Sequence, residues 1–144
     1  MFKLIDLMRP SRVMNARELG QAGERRAVWH YRWRGYSIID RNVRFGREGE
    51  LDLVVRRRNT VAFVEVKTRQ TVGRGRPDEA VDEKKQLQLI RLADRYARAH
   101  RLESLVIRFD VIALFWTGRS FRVWHYPSAF QPLAEDSRPW RDRV

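Results

Sequence analysis

Cysteine is absent from this 144-residue chain. The chain can therefore form no disulfide, no thiolate metal site and no catalytic thiol. It also lacks any apolar run long enough to cross a bilayer. The N-terminal stretch MFKLIDLMRPSRVMN has a short apolar run interrupted by Asp6 and no small-residue cleavage site, so it does not resemble a signal peptide. We expect a soluble, cytoplasmic protein without a membrane partner.

Acidic residues are scarce relative to basic ones. Eighteen Asp and Glu stand against thirty Lys and Arg, which gives a net charge of +12. Such an excess is typical of proteins that bind nucleic acid, and charge alone also fits an RNA- or ribosome-associated protein without a metal site. The length fits one domain, and a hydrophobic fraction of 43% is sufficient for a core.

The hydrophobic pattern predicts an α/β domain with a mixed sheet. An apolar stripe with helical spacing predicts a first helix from Ala16 to about Arg34, after an arm formed by residues 1–15. Three strands joined by short turns should then form an antiparallel meander. The predicted strands are 36–45, 49–57 and 60–68.

The second half of the chain completes the predicted sheet. We expect a helix from about Glu79 to His100, with Asp78 as its N-cap. One or two further strands should follow, at 105–115 and 121–126. The domain would then span residues 16–126, with a C-terminal tail at 127–144.

Charged residues interrupt the third predicted strand, FVEVK. Since strand residues alternate between faces, Glu65 and Lys67 share one face with Phe63. The second strand places Asp52 on one face together with Glu50. A four-residue turn, RRNT, would pair Val55 with Thr60 or Val61 and so bring Asp52 near Glu65.

Two neighbouring carboxylates are costly unless a cation lies between them. Mg²⁺, or Mn²⁺, is the natural candidate because it takes oxygen ligands from carboxylates, water and phosphate. Lys67 could orient a water or stabilise charge on a phosphate. The alternative is that Glu65 and Lys67 are solvent-facing charges on an edge strand, but the apolar Phe63 on the same face argues against it.

A carboxylate also lies on the apolar stripe of the first helix. Glu24 would need a partner there, either the site or a structural ion pair with Arg25, Arg26 or a neighbouring lysine. The small Gly20 and Gly23 would let the helix approach the sheet closely.

Four basic residues are candidates for binding nucleic acid. Lys85 lies on the inward line of the second helix, although it could equally belong to a solvated charged turn. Arg69, Arg74 and Arg76 leave the third strand in a Gly-rich loop and could contact phosphates, or the loop could make no defined contact. Most of the tryptophans are expected in the core and interfaces, but base stacking stays open for Trp29 and Trp33, which lie in a basic helix.

The ordered motifs resemble a known nuclease superfamily. Asp52 followed by Glu65-Val66-Lys67 resembles the PD-(D/E)xK nuclease core, although Leu51 stands where many members have proline. The segments GELDLV, FVEVKTR and EAVDEKK resemble the YraN-like family, which is similar to archaeal Holliday-junction resolvases. The resemblance covers residues 16–126 and implies a restriction-endonuclease-like fold.

The resemblance also implies roles for individual residues. Asp52 and Glu65 would hold the metal, with the Val66 carbonyl as a further ligand. Lys67 would position the attacking water, and Glu24 would hold a water of the metal or a second ion. Glu50 stays open between a site residue and a carboxylate that merely flanks the turn.

We therefore expect a Mg²⁺- or Mn²⁺-dependent endonuclease that hydrolyses DNA, with branched or non-duplex DNA as the substrate that the resemblance suggests. Resolvase-like enzymes often act as homodimers, for which the tryptophans and the segment FRVWHYPSAF are candidate surfaces. The alternative is a nucleic-acid-binding module on a nuclease fold, with cleavage lost or dependent on a partner.

Overall fold

The computed structural model describes residues 12–70 and 81–131. Within these residues the chain forms two helices and five strands, which confirms the predicted α/β class. The helices are α1 (Ala16–Trp33) and α2 (Glu83–Ala99). The strands are β1 (Ser37–Arg44), β2 (Glu50–Arg57), β3 (Thr60–Arg69), β4 (Val106–Trp116) and β5 (Phe121–Phe130).

The five strands form one mixed sheet in the order β1-β2-β3-β4-β5. The first three strands are an antiparallel meander, as predicted. β4 then pairs parallel to β3, and β5 returns antiparallel to β4. Helix α2 lies in the connection between β3 and β4, as a parallel pair of strands requires. This arrangement is consistent with a restriction-endonuclease-like fold.

Both faces of the sheet are covered, so the sheet separates two apolar cores. On one face α1 packs through Ala27, Val28 and Tyr31. On the other face α2 packs through residues such as Leu92 and Tyr96. Neither helix is long and apolar enough to cross a membrane.

The start of α2 differs from the prediction. Asp82, not a residue near 78, caps the described helix, and its carboxylate accepts a hydrogen bond from the Lys85 N–H at 2.8 Å. Either aspartate could cap a helix, so the sequence alone does not choose between them. Val81, directly before the cap, is buried in the α2 core, and this packing sets where the helix begins. The predicted cap Asp78 lies outside the described residues.

Two strand predictions also need correction. The β2–β3 connection is a two-residue turn at Arg58 and Asn59, because Arg57 already pairs with Thr60. Val55 consequently pairs with Ala62, one or two residues further along than predicted. Strand β5 continues past the predicted end at residue 126 to Phe130, whose side chain is buried in the α2 core.

Helix α1 approaches the end of β3 closely at one glycine. A Cβ atom on Gly23 would lie 2.1 Å from Thr68 Oγ1, so only glycine fits there. The predicted role of Gly23 is therefore confirmed. The same prediction is wrong for Gly20, where an added Cβ atom would meet no described residue within 4 Å.

We expect these two glycines to respond oppositely to alanine. Gly20→Ala should raise the free energy of unfolding by about 0.5–1 kcal/mol, because alanine favours the helix and meets no neighbour. Gly23→Ala should lower it, since overpacking against the stiff Thr68 side chain costs about 1–3 kcal/mol and exceeds that gain. Urea unfolding of both variants checks this; equal effects would show that α1 tolerates a side chain at both positions.

A polar group lies within the α1 face of the sheet. Asp110 is fully buried and accepts hydrogen bonds from Arg108 Nε at 2.7 Å and from the Tyr31 hydroxyl at 2.8 Å. His125 Nε2 lies 2.9 Å from the same carboxylate. Burial alone raises the pKa of Asp110, but hydrogen bonds from His125, Arg108 and Tyr31 outweigh it and lower the pKa to about 2. Asp110 is therefore a satisfied structural carboxylate.

Candidate metal centre

Strands β2 and β3 stop pairing at one end of the meander. Their paired register ends at Leu53 and Val64. Beyond this point the Val66 N–H donates to Asp52 Oδ2 at 2.9 Å, so a side chain continues the connection between the strands. The next position opposite Asp52 is Glu65, which confirms the predicted proximity of the two acids.

Glu65 is only 5% exposed and lies between two lysines. Its Oε1 atom is 3.2 Å from Lys67 Nζ and 3.9 Å from Lys85 Nζ. Its Oε2 atom is buried and has no hydrogen-bond partner among the described residues. A buried carboxylate oxygen without a partner is costly, which makes this atom a candidate ligand for a cation.

The position of Lys85 resolves the two interpretations of that residue. Helix α2 begins beside the site, and its first turn directs the Lys85 ammonium towards Glu65. The side chain is therefore partly buried rather than part of a solvated turn. Since β3 lies between β2 and β4 in the sheet, Glu65 and Lys67 do not lie on a solvent-facing edge strand.

Asp52 is also perturbed by its surroundings. Burial raises the pKa of the Asp52 carboxyl, and the charge of Glu65 raises it further, to about 7. The hydrogen bond from the Val66 N–H acts in the opposite direction by stabilising the ionised form. Without a cation, the two acids therefore resist being ionised together at neutral pH.

The raised pKa of Asp52 predicts that the effect of Asp52→Asn on stability depends on pH in metal-free buffer. Between its unfolded pKa of 3.8 and its folded pKa of about 7, Asp52 holds a proton in the folded parent that the unfolded chain has released. The contribution of this group to stability therefore falls as pH rises through that window, by about 1 kcal/mol per pH unit. Asparagine does not titrate, and its amide oxygen can still accept the hydrogen bond from the Val66 N–H.

We expect Asp52→Asn to gain stability relative to the parent as the pH rises from about 4 to about 7. Urea unfolding in the presence of a chelator, at both ends of this range, measures the difference. Titrating groups distant from Asp52 contribute equally to both proteins and cancel, whereas Glu65, which interacts with Asp52, is part of the measured difference. A difference that is the same at both pH values would contradict the raised pKa of Asp52.

Glu24 and Glu50 meet at the amide of Asn42. With its nitrogen turned towards the two carboxylates, Asn42 donates to Glu50 Oε1 at 3.0 Å and to Glu24 Oε1 at 3.2 Å. Within the described residues, no Arg or Lys lies within 4 Å of Glu24, so the predicted alternative of an ion pair with Arg25 or Arg26 is not formed.

Glu50 lies near Asp52 and is also accessible at the protein surface. Its charge contributes to the raised pKa of Asp52, which places it on the acidic side of the site. It also forms an ion pair of 3.5 Å with Arg44, whose side chain is exposed. The two predicted roles of Glu50, site residue and turn-flanking carboxylate, are therefore compatible.

Asn42 is the site residue that the sequence prediction missed. It adopts a φ of 51° within β1, a backbone conformation that asparagine tolerates better than most residues. Asparagine is otherwise depleted in strands. An Asn in the middle of the strand SIIDRNVR was therefore the available signal.

A groove of about 420 Å³ lies beside the acids along α2. Lys85 is part of its wall and connects the groove to Glu65. The other described residues that line the groove are Glu48, Asp82, Lys84, Gln88, Arg91 and Leu92.

The three arginines predicted to contact phosphates follow β3. Arg69 is exposed at the end of this strand. Arg74 and Arg76 lie outside the described residues.

The donor set fits a divalent cation that keeps some of its water. In the part of the chain that the structure describes, no three His, Cys, Asp or Glu side chains are gathered closely enough to enclose an ion. Mg²⁺ is usually bound by only one or two carboxylates, with water and substrate phosphate completing its shell. Asp52, with its raised pKa, and Glu65, whose Oε2 has no hydrogen-bond partner in the described part of the chain, supply two such carboxylates.

Comparison with known sequences places the chain in a family. Residues 23–114, which include both acids and Lys67, match the uncharacterised protein family UPF0102. The chain belongs to this family. The matched region begins at Gly23, inside α1, and ends in β4, so it includes β1, β2, β3 and α2.

Relatives from distant bacteria share most of their length with this UPF0102 chain. A UPF0102 protein of Syntrophotalea carbinolica is 46% identical over 112 residues, which cover 78% of this chain and 90% of the relative. A UPF0102 protein of Myxococcus xanthus is 41% identical over 123 residues, which cover 85% and 97%. A third, of Caldicellulosiruptor saccharolyticus, is 40% identical over 102 residues, which cover 71% and 86%.

Proposed function

We propose that this protein is a PD-(D/E)xK-type endonuclease that hydrolyses DNA phosphodiester bonds with Mg²⁺ or Mn²⁺. The observation that carries the proposal is the pair of adjacent carboxylates, Asp52 and Glu65, where β2 and β3 stop pairing. Among the described residues, one oxygen of this pair, Glu65 Oε2, is buried without a hydrogen-bond partner, and Lys67 Nζ lies 3.2 Å from the other oxygen of the same carboxylate. A purely structural acid pair would be expected to have its oxygens satisfied, as those of Asp110 are.

Asp52 and Glu65 would hold the ion, with the Val66 carbonyl as a further ligand. The ion would supply a Lewis acid that polarises the scissile phosphate and lowers the pKa of a water. Asp52 is kept in place by the Val66 N–H, and Glu65 by the two lysines. These contacts orient the carboxylates before any substrate arrives.

Lys67 acts on the reacting groups. Its ammonium carries three donors and is 29% exposed, so it reaches both Glu65 and the space in front of it. There it donates to the attacking water or to a phosphate oxygen whose charge grows in the transition state. Water adds to phosphorus, one backbone P–O bond breaks, and the leaving oxygen takes up a proton.

DNA binding would depend mainly on contacts to phosphate. Lys85 and Lys84 face the groove beside the acids, and Arg69 lies at the end of the same strand as Glu65. Such contacts position the backbone without reading its sequence. Affinity for DNA should therefore fall steeply as salt is added.

Cleavage of labelled single-stranded, duplex, flapped and four-way DNA tests the proposal. Each DNA is incubated with the protein in Mg²⁺, in Mn²⁺ and in chelator. We expect cleavage only with metal, and its distribution over the four DNAs ranks the substrates. Metal-independent binding with no cleavage of any DNA would instead favour a binding module on a nuclease fold.

A further inference from the structure

The outward face of α1 carries two exposed indoles. Trp29 is 55% exposed and Trp33 is 78% exposed. They are four residues apart, so they lie next to each other on the helix surface, with ring centroids 6.5 Å apart and planes inclined by 30°. No described residue covers this pair, although large aromatic side chains are usually withdrawn from water.

Three arginines lie next to the indoles on the surface of α1. Arg25, Arg26 and Arg32 are exposed and lie within one turn of Trp29 on the same helix. In residues 12–70 and 81–131, none of the three has a carboxylate within 4 Å. The face formed by these five residues, which we term the Trp–Arg face, thus combines two flat apolar rings with uncompensated positive charge.

The Trp–Arg face and the candidate metal centre lie on different sides of α1. Glu24 lies on the same helix, faces the sheet and meets Asn42 and Glu50 at the rim of the site. Trp29 follows five residues later, about 7.5 Å along the helix axis and about 140° around it, so its indole lies on the outward side. Gly23, which directly precedes Glu24, packs against Thr68 at the end of β3 and fixes this part of α1 against the sheet.

We propose that the Trp–Arg face binds an unpaired segment of nucleic acid, with bases stacked on Trp29 and Trp33 and phosphates bound by the three arginines. Bases in a duplex are already stacked on one another, so only unpaired bases present a free face to an indole. The inference deepens the proposed function, on which it rests for the identity of the substrate. It specifies DNA that carries an unpaired segment in addition to the scissile bond.

Two other occupants fit the Trp–Arg face less well. In a symmetric dimer the same face would meet itself, and Arg25, Arg26 and Arg32 of both copies would come together without a carboxylate on that face to separate them. A membrane-surface helix needs a broad apolar face, whereas the apolar face of α1 is already buried against the sheet.

Binding in the presence of a chelator tests the inference separately from cleavage. The anisotropy of a labelled oligothymidylate and of a blunt duplex of equal length is measured with the parent and with the double variant Trp29→Ala/Trp33→Ala. We expect the double variant to bind the single strand at least about 30-fold more weakly, because loss of stacking costs about 5-fold or more for each of the two bases. Its affinity for the duplex should change little.

Matched variants separate stacking from charge. Trp29→Phe/Trp33→Phe should recover most of the single-strand affinity, since phenylalanine also stacks. Arg25→Gln/Arg26→Gln/Arg32→Gln should weaken binding of both DNAs and lower the salt dependence. Val106→Ala, which alters an exposed apolar residue at the start of β4, should change neither.

Three results would overturn the inference. One is an unchanged single-strand affinity in the double alanine variant, and another is an equal loss for both DNAs. The third is a parent dimer, seen by sedimentation, that the double alanine variant converts to a monomer while single-strand affinity is kept. Absence of cleavage in metal would count against the proposed function but would leave these binding results unaffected.

Discussion

Replacing Glu65 with glutamine should reduce metal-dependent cleavage of DNA on the order of 1,000-fold. Glutamine has nearly the same shape and can still accept a hydrogen bond from Lys67, but it carries no charge to hold a divalent ion. Losing the transition-state stabilisation that the ion provides costs several kcal/mol. A loss of roughly 4 kcal/mol corresponds to that factor. Initial rates on the best-cleaved DNA in Mg²⁺ measure the effect.

A charge-matched control accompanies this variant. Glu103→Gln removes a carboxylate from the connection between α2 and β4. This connection lies near the β2–β3 turn, at the other end of these two strands from Asp52 and Glu65. We expect it to cleave like the parent. Glu65→Gln should also fold as the parent does in chelator, since it removes one of two repelling charges. Cleavage by Glu65→Gln at the parent rate would exclude Glu65 as a metal ligand.

Lys67→Met should lower cleavage roughly 100- to 1,000-fold, the loss typical of removing one preorganised donor to a developing charge. Methionine fills a similar volume and leaves the strand packed. Metal binding should be kept or strengthened, because the variant removes an ammonium that lies 3.2 Å from Glu65 Oε1. The combination of slow cleavage with intact metal binding distinguishes Lys67 from the two acids.

Lys85→Met is the matched control for Lys67→Met. Its ammonium is 3.9 Å from the same oxygen but comes from α2 rather than from β3. We expect a smaller loss in rate, accompanied by weaker DNA binding, because Lys85 also lines the groove. If Lys67→Met instead lost metal binding and cleavage together, positioning of Glu65 would account for the whole effect of Lys67, and its proposed action on the substrate would be contradicted.

The alternation of residues in β3 was sufficient to predict the central features of the site. The two-residue period of a β-strand predicts that Glu65 and Lys67 share one face. The short connection to β2 also predicts that Asp52 lies opposite Glu65, even though the predicted β2–β3 register differs by one or two residues from the observed one. The apolar stripe of α1 likewise placed Glu24 on the inward side. These features depend on local periodicity, which a single sequence records directly.

Features that depend on contacts between distant elements were not predictable in this way. Asp82 caps α2 beside Val81, whose side chain is buried in the α2 core, and the capping preference of aspartate alone does not distinguish Asp82 from Asp78. Asn42 matters because its backbone conformation turns its amide between Glu24 and Glu50, which come from a helix and another strand. Asp110 likewise gathers partners from α1 and β5.

Titration of the protein with Mn²⁺, followed by electron paramagnetic resonance of the free ion, tests the central claim most directly. The claim is that Asp52 and Glu65 together form a divalent metal site. We predict saturable binding of Mn²⁺ by the parent, by Glu103→Gln and by Lys67→Met, with competition by Mg²⁺ and loss of binding in Asp52→Asn and Glu65→Gln. Saturable binding that both of the last two variants retain, or no binding by the parent, would contradict the claim.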